Sequence, residues 1–446
     1  MINRDSEIYD TKSPILKKIL NFFFFFFKMG FMAYGGPAML GFIKKEVVFK
    51  RKLISEDDFN EGIALVNVIP GATNSQIVAY IGYKLKKGRG AIIAFTAFII
   101  PAFIEMLIFT VIYKTTGNVG MFMQVFNALA AVITAILLNT VIMFGSKIIK
   151  EWRLDILALI TLAMLVFKFN ILIILLIIVV LTFLLFFINK KFWPFTHTEN
   201  INNKKLYKDE SLGGGRDIGF RKKIDMESED KKFEKPLINN LNNFFKTYWT
   251  FFISIALVAA SLITSFFLKR DLFLAGLSLT KASVLGFGGA IPMLTIIQYD
   301  MVNVLKIFSQ KQIIDALVLG QITPGPVMIT STFIGYYISG FIGALLCTIV
   351  AFYPSFAIFS LVAPKYESVK NNKYVKLVVR GIMGMFVGML LFFLYSVGRE
   401  AIKGYISGII ALLSFIAIRF KVREIYIIAA AAIISVVLYF LNITII

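Results

Sequence analysis

Two short motifs combine a helix-breaking Pro-Gly pair with hydroxyl and amide side chains. The pairs are Pro70-Gly71 in the first half of the chain and Pro324-Gly325 in the second half. Proline removes a backbone hydrogen-bond donor and glycine tolerates unusual dihedral angles, so each pair is expected to interrupt a helix. The second part of an interrupted helix starts with free backbone N–H groups and a partial positive charge, which favour an anion. The motifs therefore predict an anion-binding site, with a kink used only for packing as the alternative.

Two Gly-Gly pairs and two lysines recur together with the Pro-Gly motifs. Gly35-Gly36 and Gly288-Gly289 suit either close helix packing or a backbone nest for an anion. Each pair follows a lysine at the same spacing, which favours the anion interpretation. The predicted anion-binding residues are Lys28, Gly35, Gly36, Asn67, Pro70, Gly71, Thr73, Asn74, Lys281, Gly288, Gly289, Gln321, Thr323, Pro324, Gly325, Pro326 and Thr330.

Charged residues inside apolar segments need an explanation, because each costs about 2.5–3.5 kcal/mol on insertion scales. Lys28 and Lys281 match each other in the two halves, and with Arg380 they are candidates to neutralise an anion. Glu105 is the candidate for a proton-coupling group. The alternative for these residues is that their long side chains reach the membrane surface.

The elements that must position these residues are membrane-spanning helices. Of the 446 residues, 58% are hydrophobic and 16% are charged, whereas soluble proteins contain about 45–50% apolar residues. Uncharged runs reach the roughly 20 residues needed to cross a bilayer. The run at 316–364 is long enough for two crossings with a turn at Ser339-Gly340. The sequence therefore predicts an all-α polytopic protein with about thirteen transmembrane segments, embedded in the lipid bilayer of a bacterial cytoplasmic membrane.

Net charge and rare side chains exclude several other classes of protein. The net charge of +21 is typical of loops that orient helices, since no nucleic-acid recognition motif accompanies it. The single cysteine, Cys347, and the single histidine, His197, leave no disulfide framework and no histidine-based metal site in the membrane. We expect no metal, no cofactor and no nucleic-acid partner, and the sequence leaves homo-oligomerisation open.

An internal repeat relates the two halves of the chain. The Gly-Gly pairs are 253 residues apart, and the Pro-Gly pairs are 254 residues apart, as are Glu46 and Asp300. An offset this constant indicates a duplication. The predicted divisions are an N-terminal cytoplasmic segment at 1–19, a first repeat at 20–189, a charged, disordered cytoplasmic linker at 190–247, and a second repeat at 248–446 that begins with an unmatched helix at 248–268.

Loop charges predict that the two repeats have opposite orientations in the membrane. The loop at 84–89 carries four positive residues, and its counterpart at 337–340 carries none. The loop at 364–376 is basic, whereas its counterpart at 114–120 contains one lysine. Loops rich in Lys and Arg stay in the cytoplasm. Inverted repeats with matched helix breaks are typical of secondary transporters, and one repeat is expected to rock against the other.

These motifs resemble those of the chromate transporter family in its long-chain, two-domain form. The matching segments are 28–37, with a Lys-x-Gly-x-x-x-aromatic-Gly-Gly-Pro pattern, and 70–72, 287–289, 324–326, 335–336 and 354–356. The resemblance covers about 15–190 and 270–446, and the chain departs from the family pattern at Ala72 and Ala290. It implies transport of chromate, a tetrahedral dianion similar to sulfate, usually outward as a resistance mechanism and coupled to the proton gradient or to anion exchange.

The sequence thus predicts a secondary active transporter that moves chromate across the cytoplasmic membrane, with efflux as the expected direction. Transport of sulfate or another oxyanion is the alternative within the same class. A membrane-embedded enzyme is disfavoured, because the sequence shows no intramembrane histidine, carboxylate pair or phosphate-binding loop. A channel is also disfavoured, because two matched broken helices suit alternating access better.

Overall fold

The chain is helical throughout the part that the structure describes. A computed structural model describes residues 15–33, 37–116, 119–148, 151–187, 237–366 and 372–445, and these ranges contain no strand. Their α-helices are α1 (Ile15–Met32), α2 (Pro37–Lys44), α3 (Glu56–Val68), α4 (Thr73–Thr116), α5 (Gly120–Ile148), α6 (Trp152–Val166), α7 (Ile171–Phe187), α8 (Leu237–Leu268), α9 (Arg270–Leu285), α10 (Ala290–Gln298), α11 (Gln310–Ile322), α12 (Thr330–Val362), α13 (Lys373–Ala401), α14 (Tyr405–Arg419) and α15 (Glu424–Phe440).

The order of the helices repeats, with α1–α7 matched by α9–α15 and with α8 unmatched. Local details repeat as well. Short π-helices, Lys45–Lys50 and Tyr299–Val304, continue α2 and α10. The hydroxyls of Ser55 and Ser309 cap the N-termini of α3 and α11. The offset found in the sequence is therefore present in the backbone.

Two of the long helices are hairpins rather than straight rods. The backbone leaves the helical region at Ser339 and Gly340 in α12, and at the matching positions 86–87 in α4. The hydroxyls of Thr332 and Thr348, 16 residues apart in α12, lie 2.7 Å from each other, whereas a straight helix of that length spans about 24 Å. The predicted turn at Ser339-Gly340 is confirmed, and each hairpin has two antiparallel legs.

Both predicted Pro-Gly interruptions are present. After α3 the backbone becomes extended at Ile69, and Gly71 adopts a φ of +129° before α4 begins. After α11, Gly325 adopts a φ of +107°, and a short 3₁₀ turn at Val327–Ile329 leads into α12. A side chain is strained at such positive φ values, which explains why glycine follows proline in both motifs.

A further interruption divides the segment that the sequence predicts at 272–298. Gly288 and Gly289 have φ values of +85° and +109° and separate α9 from α10. In the first repeat α1 ends at Met32 and α2 begins at Pro37. Because a Gly-Gly pair also fits a continuous, closely packed helix, the sequence predicts one apolar segment in each repeat where the structure has two helices.

The two repeats are interlocked rather than placed side by side. Helix α5 of the first repeat packs on α14 and α15 of the second, and α13 of the second packs on α6 and α7 of the first. Gly381, Gly384 and Gly388 on one face of α13 lie directly against side chains or backbone of α6 and α7. Small residues allow such close approach of helices in a membrane. The matching positions of α5 are the buried residues Ala128, Ala131 and Ala135.

The helices therefore form two groups that each contain parts of both repeats. We call α1–α4 with α8–α12 the break body, because it contains the glycine interruptions. The remaining helices, α5–α7 with α13–α15, form the flanking body. The break body packs on the flanking body through α10 and α11, which contact α13 and, for α11, also α5.

At the centre of the break body, α4 and α12 pack in opposite directions. Phe95 stacks on Phe356 with ring centres 4.5 Å apart. Phe103, further along α4, contacts Phe341, which lies earlier in α12. Because α4 and α12 are counterparts, their antiparallel packing means that an approximate twofold axis perpendicular to these helices relates the repeats.

Several helices of the described residues suit a membrane. Five are long and apolar enough to span one by length and composition: Thr73–Thr116, Gly120–Ser146, Phe244–Leu268, Val327–Lys365 and Lys373–Ala401. Shorter apolar helices lie at Ile171–Phe186, Tyr405–Arg419 and Glu424–Phe440. On α8, Phe266 and Phe267 are 62% and 80% exposed, as expected for side chains that face lipid.

The structure moves two of the predicted boundaries. Helix α1 begins at Ile15, within the predicted N-terminal segment 1–19. Helix α8 begins at Leu237, so the end of the predicted linker 190–247 is helical, and the rest of that linker lies outside the described residues. The asparagines at the start of α8 obscured its beginning in the sequence, since they carry no apolar signal.

Candidate functional site

Each Pro-Gly interruption is hydrogen-bonded to the other repeat. The N–H of Gly71 donates to the carbonyl oxygen of Gly286 at 2.9 Å, and the N–H of Gly325 donates to that of Ala33 at 2.7 Å. Gly286 and Ala33 occupy equivalent positions, just after α9 and α1. The two interruptions are therefore held at the ends of the first helices of the opposite repeats, and this reciprocal pair of bonds defines the candidate site.

The first interruption is closely surrounded by polar groups. A Cβ atom on Gly71 would lie 2.5 Å from Cβ of Ser355, so only glycine fits there. The side-chain amide of Gln76 donates to the carbonyl oxygens of Pro70, at 2.5 Å, and Ser355, at 3.4 Å. Its oxygen Oε1 is buried and has no hydrogen-bond partner among the described residues, so it remains for a water molecule or a ligand.

The second interruption is more apolar. A Cβ atom on Gly325 would lie 2.6 Å from Cβ of Ala102, the counterpart of Ser355. The hydroxyl of Thr323 donates to the carbonyl oxygen of Leu319, and that of Thr330 donates to the carbonyl oxygen of Val327. Both threonine hydroxyls thus satisfy their own backbone, whereas the first interruption keeps more polar capacity for a ligand.

The predicted Gly-Gly and Pro-Gly residues meet at the start of α4. A Cβ atom on Gly289 would lie 3.1 Å from the hydroxyl oxygen of Thr73. Thr73 and Asn74 are half-buried in the first turn of α4. By helix geometry their backbone N–H groups have no acceptor within the helix, whereas those of Ser75 and Gln76 reach the carbonyl oxygen of Ala72. The N-terminus of α4 and the hydroxyl of Thr73 therefore lie beside the Gly-Gly pair, and Asn74 is in the same turn of the helix.

Other predicted site residues lie away from this point or cannot be placed. Lys28 is exposed on α1, and Asn67 is exposed near the end of α3. Gln321 and Pro324 are half-buried, and Pro326 is buried beside the second interruption. Gly35 and Gly36 lie outside the described residues.

Lys281 has a counter-ion within the protein. Its Nζ lies 2.5 Å from Oδ2 of Asp300, which is 5% exposed and also accepts a hydrogen bond from the hydroxyl of Ser278 at 2.6 Å. An anion would have to compete with Asp300 for this lysine. In the sequence the two residues are separate features of the repeat, and packing of α9 on the π-helix after α10 brings them together.

The remaining intramembrane charges have different surroundings. Arg380 does not stand alone, because it donates to Oε1 of Glu151 at 2.7 Å and lies over the ring of Phe186. Glu105 is half-buried on α4, and its Oε1 has no hydrogen-bond partner among the described residues. A proton-coupling role for Glu105 stays a prediction.

Three residues near the first interruption, Gln76, Ser283 and Ser355, are not among the site residues that the sequence predicts. Gln76 stood inside the first motif, and Ser355 follows Pro354, which repeats Pro101 of the first half. The N–H of Ser355 donates to the hydroxyl of Ser283 at 3.1 Å. The signal for Gln76 was its position one turn into an interrupted helix, but the sequence does not show that residues from α9 and α12 reach the same point.

Comparisons with known proteins agree with this arrangement of two repeats. A family model described as chromate transporter matches residues 20–184 and 272–436. The chain is 30% identical to an uncharacterized transporter of Methanocaldococcus jannaschii over 372 residues, which are 83% of this chain and 82% of the relative.

Two further relatives are named for chromate. A probable chromate transport protein of Synechococcus elongatus is 24% identical over 444 residues, covering 98% of this chain and 100% of the relative. A chromate transport protein of Cupriavidus metallidurans is 24% identical over 418 residues, covering 93% and 92%. No solved structure matches the chain.

Proposed function

The chain belongs to the chromate transporter family, and from this premise we propose that it moves chromate across a membrane as a secondary active transporter. Its family and its relatives are transporters rather than enzymes. The expected setting is the cytoplasmic membrane of a bacterium, and the expected direction is efflux, which would give resistance to chromate.

One observation carries the proposed site, namely the reciprocal hydrogen bonds that join each Pro-Gly interruption to the opposite repeat. They bring the N-terminus of α4 next to the Gly-Gly pair of the second repeat. The donors there are the N–H groups of Thr73 and Asn74 and the hydroxyl of Thr73. Chromate is a tetrahedral dianion with acceptor oxygens on every side, so hydrogen-bond donors and a helix N-terminus suit it.

The proposed orientation follows from two independent features. The antiparallel packing of α4 and α12 requires an axis perpendicular to the helices. The basic loop also differs between the repeats: it is 84–89 in the first and 364–376 in the second, and the counterpart of each carries little or no positive charge. If the helices cross the membrane, such an axis lies in the membrane plane. The repeats then have inverted topology, with about thirteen crossings counted from the apolar segments.

The interlocked packing changes the expected motion. Rocking of one repeat against the other would pull α5 away from α14 and α13 away from α6, which are among the closest helix pairs of the molecule. Movement between the break body and the flanking body would disturb fewer contacts, chiefly those of α10 and α11 with α5 and α13, the bond from the Tyr299 hydroxyl to the carbonyl oxygen of Phe169, and the contact of Tyr113 with Phe126. We place the boundary of alternating access between these two bodies.

Transport by the purified protein in proteoliposomes tests the function. We expect labelled chromate to accumulate against its gradient when a pH gradient is imposed, and a protonophore to abolish the accumulation. Sulfate has the same charge and shape, so its competition measures selectivity. A variant with Pro324→Ala and Gly325→Ala provides the inactive control. Absence of oxyanion flux under every imposed gradient would overturn the proposed function.

A further inference from the structure

Two carboxylates occupy the same position in the two repeats. Glu61 on α3 and Asp315 on α11 are 254 residues apart, and each lies on the short helix that leads to a Pro-Gly interruption. Each accepts a hydrogen bond from a tyrosine of α4, with Tyr80 bound to Glu61 at 2.9 Å and Tyr113 bound to Asp315 at 2.7 Å.

The two acids differ in their exposure to solvent. The side chain of Glu61 is 31% exposed and pairs with Lys84 at 2.8 Å. Asp315 is only 2% exposed, and its partner Lys311, at 3.2 Å, extends from α11 with a side chain that is 41% exposed. Burial disfavours the ionised form of this carboxylate, and Lys311, whose side chain is half in solvent, offsets that penalty only in part.

Asp315 also lies at the boundary between the two bodies. It lines a cavity of about 50 Å³ together with Lys311 of the break body and with Asn127, Glu400 and Lys403 of the flanking side. A cavity of this size holds water, since about 10–15 Å³ suffices for one molecule. Water in the cavity gives the carboxylate a route to exchange a proton.

The charged groups around Asp315 belong to different elements. Tyr113 comes from α4, Lys311 from α11, Glu400 from α13 and Lys403 from the turn after α13, where Lys403 pairs with Glu400 at 2.5 Å. Tyr337 of α12 stacks on Phe333 near Tyr113. Movement of α11 relative to α13 would change the distances from Asp315 to Glu400 and Lys403 but would keep its partners Tyr113 and Lys311.

We propose that Asp315 is the residue that takes up and releases the coupling proton. The inference rests on the proposed function, since it presupposes proton-coupled transport. A proton relayed from solvent through the cavity water binds the carboxylate, Lys311 loses its counter-ion, and the Tyr113 hydroxyl continues to donate to the neutral acid. Motion between the bodies changes the distances from Asp315 to the charges of Glu400 and Lys403. The proton affinity of Asp315 thereby depends on which side of the membrane the substrate site faces.

Proton movement coupled to chromate flux, measured with a pH-sensitive dye inside proteoliposomes, tests the inference. We expect Asp315→Asn to keep chromate–chromate exchange within about threefold of the wild type while chromate-linked proton movement falls at least tenfold. Exchange in this variant should no longer depend on pH, and Asp315→Glu should restore the proton movement. Glu61→Gln, in the matched position of the other repeat, is the control that should retain it, and Glu105→Gln tests the competing candidate.

The outcomes are distinguishable from failure of the proposed function. If the wild type carries no oxyanion, the proposed function itself is wrong. If the wild type carries chromate without moving protons, or if Asp315→Asn still moves protons with chromate, the function stands and the role of Asp315 is refuted. Loss of proton movement in Glu105→Gln alone would assign the coupling to Glu105. If Asp315→Asn does not fold, Asp315→Glu decides through a shift in the pH profile of transport.

Discussion

The two repeats share a backbone but differ in how they treat charge. In the second repeat, Lys281 is paired inside the protein with Asp300 at 2.5 Å. In the first repeat, the matching Lys28 is exposed, and the matching acid Glu46 instead binds Lys50, whose side chain is 65% exposed. The helix ends, π-helices and glycine interruptions survived duplication, whereas the charges diverged.

The difference between the repeats indicates which features both repeats have to retain and which can change in one repeat alone. Each Pro-Gly interruption is bonded to the end of the first helix of the opposite repeat, so a change at one interruption displaces part of the other repeat. Charge pairs are local, and one repeat can move them toward the surface without disturbing its partner. We therefore expect substitutions at the interruptions to act alike in both repeats and substitutions of the charges to act differently.

The largest effect is expected at the interruption glycines. Gly71→Ala and Gly325→Ala each add a Cβ atom where the backbone φ is positive and a neighbour lies within 2.6 Å. A displacement of about 1 Å at the site reduces activity about a hundredfold, and we expect at least that loss of chromate flux from both variants.

Two glycines supply the controls for this experiment. Gly41→Ala meets no atom of the described residues within 4 Å and should transport normally, whereas Gly340→Ala has a strained φ of +60° and likewise no described atom within 4 Å of its Cβ. Gly340→Ala thus separates backbone strain from the clash. Normal flux in Gly71→Ala would show that the first interruption does not belong to the site.

A second effect, on stability and unequal between the repeats, is expected from the matched lysines. Lys281→Ala leaves the carboxylate of Asp300 buried without its cation, and breaking such a pair costs about 3–5 kcal/mol. Lys28→Ala removes an exposed charge, for which about 0.5 kcal/mol is the usual limit. Unfolding in detergent, followed by the Tm, measures the difference between the two variants.

A double variant separates charge from packing in this comparison. Because Lys281→Ala with Asp300→Asn leaves no unpaired charge, it should recover most of the lost stability. Equal Tm values for Lys281→Ala and Lys28→Ala would contradict the charge asymmetry between the repeats.

The smallest effect concerns the serines that cap α3 and α11. Replacing such a cap with alanine costs about 1 kcal/mol, so Ser309→Ala should lower stability by about that amount at pH 7 and Ser55→Ala by somewhat more. Ser55 also donates to Asp58, and this bond together with Lys84 lowers the pKa of the Asp58 carboxyl. Gln312, the partner of Ser309, does not titrate.

The pH dependence of the two cap variants follows from this difference. The pKa of Asp58 is lower in the folded state than in the unfolded state. Its contribution to the free energy of unfolding is therefore present above the unfolded pKa of about 3.9 and is lost as pH falls through the folded pKa. The loss of stability caused by Ser55→Ala should therefore become smaller in acid, whereas the loss caused by Ser309→Ala should not change. The same pH dependence in both variants would contradict this assignment.

Much of the fold was readable from the sequence because its signals are local. Proline and glycine at Pro70-Gly71 force an interruption wherever they lie, and the repeat offset places the second interruption without further knowledge. The turn at Ser339-Gly340 was predictable from the length of one apolar run. The Gly-Gly break before α10 was not, since two glycines also fit a continuous, tightly packed helix.

The site was only partly readable, because it is made by contacts between distant segments. The bond from Gly71 to Gly286 joins residues of different repeats, and no local pattern specifies it. The same holds for the pairing of Arg380 with Glu151. Asp315 was overlooked although it matches Glu61 at the repeat offset, because its burial is set by α4 and by the packing of the flanking body.

Binding of labelled chromate to the purified protein tests most directly whether the Pro-Gly interruption before α4 and the Gly-Gly pair beside it form an anion site. Thr73→Val removes the hydroxyl beside Gly289, and a hydrogen bond to a charged group contributes about 1.5–3 kcal/mol. Thr115→Val, at the exposed far end of α4, is the matched control. We predict at least a tenfold weaker Kd for Thr73→Val and an unchanged Kd for Thr115→Val. An unchanged Kd for Thr73→Val would contradict the proposed site.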